Sequence, residues 1–305
     1  MSRDPSQELD DFRDALHAKA ERDAEERAHD RQPLGSPKRP SGSERQVGVA
    51  TRPAAPDPRF AESRGVLYDH DRGYRLRPSE LRSLTEVGKF RAVGVEDLVT
   101  HAYSGDRNAM QDDLRNLLRQ GLIRKGTFEG PEGSPRKLLT LSRAGYRLLR
   151  ANRLVAKDQP IYHGFVKPRE ANHDADLYTL YQKEAARIQA KGGRPVRVVL
   201  DFELKKRINH DFAKFGTEAR EEIAACHGLQ VVRGKIPIPD MRIEYQRPDG
   251  EMARVDLELV TEHYRARNVA DKVRAGFSLY TPRGEGDRLR RVLDQTELTA
   301  EILSL

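Results

Sequence analysis

Residues 236–259, IPIPDMRIEYQRPDGEMARVDLEL, restrict the fold of this chain more than any other stretch. Met241, Ile243 and Tyr245 alternate with Asp240, Arg242 and Glu244. After RPDGE, Val255, Leu257 and Leu259 alternate with Arg254, Asp256 and Glu258. A period of two belongs to a strand with one apolar and one polar face, and Pro-Asp-Gly between two such runs marks a hairpin. Side chains directly opposite one another share a face, which demands an odd-numbered loop. A loop over residues 247–251 sets Arg242 opposite Asp256, Glu244 opposite Arg254, and Asp240 opposite Glu258.

Two of these pairs join opposite charges and fit a solvated sheet face, each contributing roughly a few tenths of a kcal/mol. The third joins like charges and is unfavourable. A divalent cation between Asp240 and Glu258, with Asp256 two residues along the same face, would remove that repulsion. Carboxylate oxygens suit Mg2+ or Mn2+, which can activate water for phosphodiester cleavage. The two readings, metal-binding cluster and wet sheet face, both stand at this point.

The chain has 305 residues, of which 34% are charged and 37% hydrophobic, with a single cysteine, Cys226. One cysteine excludes an internal disulfide and a CxxC zinc site. The start, MSRDPSQELDDF, lacks the apolar core of a signal peptide, and no run approaches the ~20 apolar residues of a membrane helix. A cytoplasmic protein without membrane contact is expected. His163, His173, His210 and His263 are scattered without metal-binding spacing and read as structural, and Gly192-Gly193 reads as a helix stop, not a phosphate loop.

Charge is unevenly placed. Residues 63–154 hold 18 Lys and Arg against 11 Asp and Glu, a surplus of 7 that equals the net charge of the whole chain. A localised basic excess is the footprint of a polyanionic partner. Residues 5–31 repeat Phe12, Leu16 and Ala20 on a charged background and predict a marginal helix that would dock on a protein partner. Residues 32–60, dense in Pro, Gly and Ser, predict a linker.

The basic block predicts helix, helix, turn, helix, hairpin, helix. Ser79 is expected to cap the first helix, with Leu81, Leu84 and Val87 at helical spacing. Asp106 is expected to cap RNAMQDDLRNLLRQ, which buries Met110, Leu114, Leu117 and Leu118 and stops at Gly121. Its outer side then shows Arg107, Asn108, Gln111, Asp112 and Arg115. Asn108, Gln111 and Arg115 share a stripe, and amide and guanidinium groups suit adenine and guanine edges. Lys125, Arg136 and Lys137 flank the hairpin tip and suit phosphates. This is the order of a winged helix-turn-helix, a module that also binds proteins, and the adjacent acids Asp112 and Asp113 favour that alternative mildly.

Three family likenesses follow from these residues. LRNLLRQGLI with RKLLTLSRAGYRLL resembles the recognition helix and wing of MarR-type regulators. Pro239-Asp240 on one strand and Asp256-x-Glu258 on the next resemble the restriction-endonuclease-like PD-(D/E)xK core. A winged helix ahead of such a core is similar to the replication-relaxation family of plasmid and mobile-element proteins. The likeness spans residues 70–280 and includes a helix entered by HDADLYTLY and VVLDFEL with Glu203. It implies a DNA-binding protein acting in element replication, mobilisation or their control, with double-stranded DNA as partner and no cofactor needed for binding. The alternatives are a Mg2+- or Mn2+-dependent nuclease using Asp240, Asp256, Glu258 and Lys272, and a protein-binding scaffold.

The chain departs from the nuclease pattern. Two residues after Asp256 stands Glu258, and two after Glu258 stands Val260, so the expected lysine would have to be Lys272 on the next helix, beside Arg265 and Asn268. A closing strand after that helix is not legible, and residues 285–305 read as helical. The expected class is α+β, with an arm and linker over 1–62, a winged helix over 63–154, and a small mixed-sheet nuclease-like domain over 155–305.

Overall fold

The computed structural model describes residues 63–130, 133–165, 168–261, 264–281, 287, 289–291 and 302–304. The expectations for the arm and linker, and most of those for the tail, fall outside these residues. What is described is a mixed α+β molecule with three sheets.

The chain enters through a hairpin, β1 (Gly65–Asp69) and β2 (Arg72–Leu76), which the sequence reading did not anticipate. Tyr74 and Leu76 alternate with exposed Gly73 and Arg75, and His70 turns the chain at φ 53°. Helix α1 (Pro78–Lys89), strand β3 (Val93–Gly94), helices α2 (Val95–Ala102) and α3 (Arg107–Arg119), strands β4 (Ile123–Glu129) and β5 (Pro135–Leu141), and helix α4 (Arg143–Ala151) follow. The three strands form an antiparallel sheet in the order β3-β5-β4.

Local chemistry explains the helix ends. Asp106 caps α3 by accepting the Ala109 N–H at 3.0 Å, as expected, and Gly121 follows at φ 71°, a backbone state that costs glycine least. Ser79, in contrast, does not cap α1. Arg77 holds that place, with Pro78 in the first turn and the Glu80 carboxylate accepting the Arg77 N–H at 2.8 Å. The Ser79 hydroxyl instead donates to Asp113 at 2.6 Å.

Asp113 is the centre of a buried polar knot. It also accepts the Tyr103 hydroxyl at 2.9 Å and stands 3.1 Å from the Arg77 guanidinium, while Ser83 bonds Tyr103 at 2.7 Å. The knot joins α1, α2 and α3 and sets which side of α3 faces inward. Only Asp112 of the two adjacent acids reaches solvent, so Asp113 exerts no repulsion on an anionic partner from the surface.

The second half carries α5 (Pro168–Ala190), β6 (Arg194–Leu200), α6 (Asp201–Phe215), α7 (Arg220–Cys226), β7 (Met241–Gln246), β8 (Met252–Leu259), α8 (Ala266–Arg274), β9 (Ser278–Thr281) and β10 (Ile302–Ser304). The sheet order is β10-β9-β8-β7-β6, antiparallel from β6 to β8 and parallel from β8 to β10. The β7–β8 register sets Arg242 opposite Asp256 and Glu244 opposite Arg254, as the odd-loop argument requires.

Several expectations are corrected. The run VRVVLDFEL leaves the sheet at Leu200. Asp201 opens α6, and the buried period becomes Leu204 and Ile208, so Glu203 lies on a helix. Residues 161–165 form no strand, and the Tyr162 and Gly164 N–H groups bond to the Gly88 and Leu141 carbonyls across the molecule. A closing strand does exist: β9, only four residues long, beside β8. Residues 302–304, expected to be helical, pair with β9. The polar face of the hairpin is solvated only in part, Arg254 being exposed while Arg242 and Glu258 are buried. Arg242 is buried and bonds the His227 carbonyl at 2.6 Å, and Glu258 is fully buried beneath α8.

Helix α5 lies against both larger sheets. Ala171 and Ala175 let it approach Leu138, Phe128 and Phe165, while Leu177, Tyr178 and Leu180 join a core shared with Phe90, Met241, Ile243 and Leu257. Phe90 meets the Tyr178 ring edge-on at 5.3 Å. No helix among the described residues is long and apolar enough to cross a membrane. Asp113→Ala is expected to cost about 2 kcal/mol in urea unfolding, since it removes the acceptor of the buried Ser79 hydroxyl, one of two partners of Tyr103 and the nearest carboxylate of Arg77. Asp112→Ala should stay within about 0.5 kcal/mol of the parent.

Candidate nucleic-acid interface and carboxylate site

The knot around Asp113 turns the opposite side of α3 to solvent. Arg107, Asn108, Gln111, Asp112 and Arg115 are all exposed. The two arginines are not bare. Arg107 bonds the Glu96 carboxylate through both terminal nitrogens, at 2.9 and 2.5 Å, and Arg115 bonds Asp112 at 3.1 Å. The Arg107 bond holds the Glu96 carboxyl below its usual range, and the nearby Lys137 charge adds to the effect.

On the β4–β5 hairpin, Lys125 lies directly opposite Leu139, and Lys137 opposite Thr127. Alternation places both lysines on the face of Leu139, diagonal to one another, and both are exposed. Arg136 points the other way. It is half-buried, bonded to Asp176 at 2.7 Å and Asp97 at 3.1 Å, and serves to fasten the hairpin to α5 and α2. Asp176 and Asp97 already engage it, which counts against the phosphate contact expected at Arg136.

The second cluster gathers where β7 and β8 meet α8. The Asp240 carboxylate accepts the Leu259 N–H at 2.9 Å, and Glu258 accepts the Asp240 N–H at 3.2 Å. Lys272 reaches Glu258 from α8 at 2.7 and 2.8 Å and also donates to the Ile238 carbonyl at 2.6 Å. Tyr264 donates its hydroxyl to Glu258 at 2.8 Å. The like-charge pair foreseen from the register is thus relieved by an ammonium group. Asp256 takes no part: both its oxygens are held by Arg242, at 2.6 and 2.8 Å.

These donors do not fit a divalent cation as they stand. Both Glu258 oxygens are engaged, Asp256 is committed elsewhere, and no group of three His, Cys, Asp or Glu among the described residues is set to hold a metal. What the site offers is one carboxylate pair, an ammonium and a phenol, arranged around a fully buried Glu258. Two members escaped the sequence reading. Tyr264 carried no motif, and His173, set aside as structural, stands 3.6 Å from Asp240. Beside it, Asp174 is buried with its nearest cation, Arg91, at 3.7 Å. Arg265 and Asn268 are exposed on α8.

No family model matches this chain, and no curated protein or solved structure matches it either.

Burial and the Asp240 charge raise the Glu258 carboxyl well above the usual carboxylate range, with Lys272 pulling against both. Burial raises Asp174 to about 6 against Arg91 and His173. At His173 burial acts downward, but Asp240, Asp174 and Asp176 lift the imidazole to about 8. Each of these groups holds its proton more tightly in the folded protein than in the unfolded chain. Stability therefore falls as pH rises from the ordinary carboxylate range to about 8. Thermal melts should show Tm decreasing between pH 5.5 and 8.5, and His173→Gln should flatten that decrease above the ordinary imidazole value of 6.5.

Proposed function

We propose that this chain binds duplex DNA through a winged helix-turn-helix head, residues 63–154, and that it serves the replication or mobilisation of a plasmid or mobile element, or their control. The observation that carries the reading is the solvent-facing stripe Asn108, Gln111 and Arg115 on α3, flanked by Lys125 and Lys137 on the neighbouring hairpin. The order α1-β3-α2-α3-β4-β5-α4, with β3 and β4 on either side of β5, supports the winged-helix assignment. In this reading α3 enters the major groove, its amides and guanidinium meet base edges, and the hairpin lysines meet phosphates.

For the second half we favour a restriction-endonuclease-like fold retained for binding or assembly. Helix α5, the antiparallel strands β6, β7 and β8, the crossover helix α8 and the parallel strand β9 support that fold, with α6 and α7 inserted between β6 and β7 and β10 added beyond β9. A Mg2+- or Mn2+-dependent nuclease is the second reading, favoured by the meeting of Asp240, Glu258 and Lys272. Against it stand the engaged oxygens of Glu258 and the diversion of Asp256 to Arg242. The arm over residues 1–62 is proposed to engage a protein partner, and a scaffold without DNA contact is the remaining alternative.

In gel shifts at low salt, Arg115→Ala should lose discrimination between duplex sequences. Lys137→Ala should weaken all sequences alike and reduce the salt slope by about one phosphate. Retention of full affinity by both variants would remove this face from DNA. Supercoiled plasmid incubated with protein and Mg2+ or Mn2+ should remain intact, whereas nicking that disappears with Asp240→Ala would establish the nuclease instead.

A further inference from the structure

The face assigned to DNA carries its own counter-charges. Glu96, in the first turn of α2, is 69% exposed and grips Arg107, itself 53% exposed. Asp112, 61% exposed, holds Arg115 one helical turn away. Lys137 acts on Glu96 as well, so this carboxylate answers to both α3 and the β4–β5 hairpin. Neither acid is needed to hold the fold: both lie outside the buried knot, and exposed ion pairs contribute little stability. Their position is nevertheless unfavourable for a protein that binds polyanions, because each exposed carboxylate repels approaching phosphates.

Building on the DNA-binding reading above, we infer that Glu96 and Asp112 determine specificity, by withholding Arg107 and Arg115 from phosphates and releasing them to base edges. The physical case is an asymmetry between two kinds of contact. A phosphate satisfies the guanidinium alone and leaves the carboxylate beside another anion. A base pair can satisfy both, since guanine presents O6 and N7 to an arginine while cytosine presents an N4 amino group to a carboxylate. Exposed pairs of this kind open at little cost, but opening for a phosphate leaves the carboxylate beside a second anion, whereas opening for a base pair does not. Discrimination then comes from penalising the wrong complex as well as favouring the right one. The ligand class implied is duplex DNA with G·C pairs under the two arginines.

The test compares the full chain with Glu96→Gln, Asp112→Asn and the double variant, all first checked for unchanged melting. Each is titrated with a random-sequence 30-base-pair duplex from 50 to 200 mM salt, and each is used to select from a randomised duplex pool. The double variant should bind the random duplex about tenfold more tightly, with a salt slope steeper by about two, and its selected pool should show weaker base preference. Random-duplex affinity that does not change, or that rises while the selected preference stays intact, overturns the inference and leaves the DNA-binding reading standing. If neither parent nor variants bind any duplex at the lowest salt, both readings fall.

Discussion

Helix α5 is the contact on which the rest of this molecule depends. Two small residues, Ala171 and Ala175, let it sit close against Leu138 and Phe128 of the first half, and Leu177, Tyr178 and Leu180 bury it against the sheet of the second. Polar residues in the same turns act in both directions. Asp176 binds Arg136 of the hairpin, Asp174 faces Arg91, and His173 faces Asp240. A single helical turn therefore touches both the hairpin that flanks the basic face and the carboxylate site. A displacement of α5 would be felt at each, because side chains this closely packed move together.

The carboxylate site illustrates how a sheet accommodates an unfavourable pair. The register forces Asp240 and Glu258 together, and burial removes the water that would screen them. Two carboxylates in such a setting require a cation, a proton, or several donors. All of these are engaged here: the Lys272 ammonium, the Tyr264 hydroxyl, two backbone N–H groups, and a Glu258 carboxyl raised toward its protonated form. Arg242 solves the neighbouring problem separately by taking both oxygens of Asp256 and capping two carbonyls of the preceding turn. Each acid on the polar face thus has a different partner, drawn from a different element.

The basic face follows another logic. Its orientation derives from Asp113, a buried acid whose sequence neighbour Asp112 points into solvent. One residue of helix rotates a side chain by about 100°, enough to separate a structural carboxylate from a surface one. The same division appears on β5, where Arg136 is drawn inward by Asp97 and Asp176 while Lys137, one residue on, is exposed. Neighbouring residues of like charge thus do opposite work.

The sequence by itself determined whatever rests on short-range periodicity. The α+β class, the amphipathic stripe of α3, the Asp106 cap and the β7–β8 register all follow from spacing within one or two elements. The short strands β9 and β10, the β1–β2 hairpin and the helical start at Asp201 were not legible, because a few residues carry too little pattern to outweigh their alternatives. The partners of charged side chains were decided only by tertiary structure. That Arg136 faces α5, that Asp113 is internal, that Lys272 reaches Glu258, and that His173 approaches Asp240 all depend on elements far apart in sequence. An ion pair takes its partner from spatial approach, and spacing along the chain carries no record of that approach.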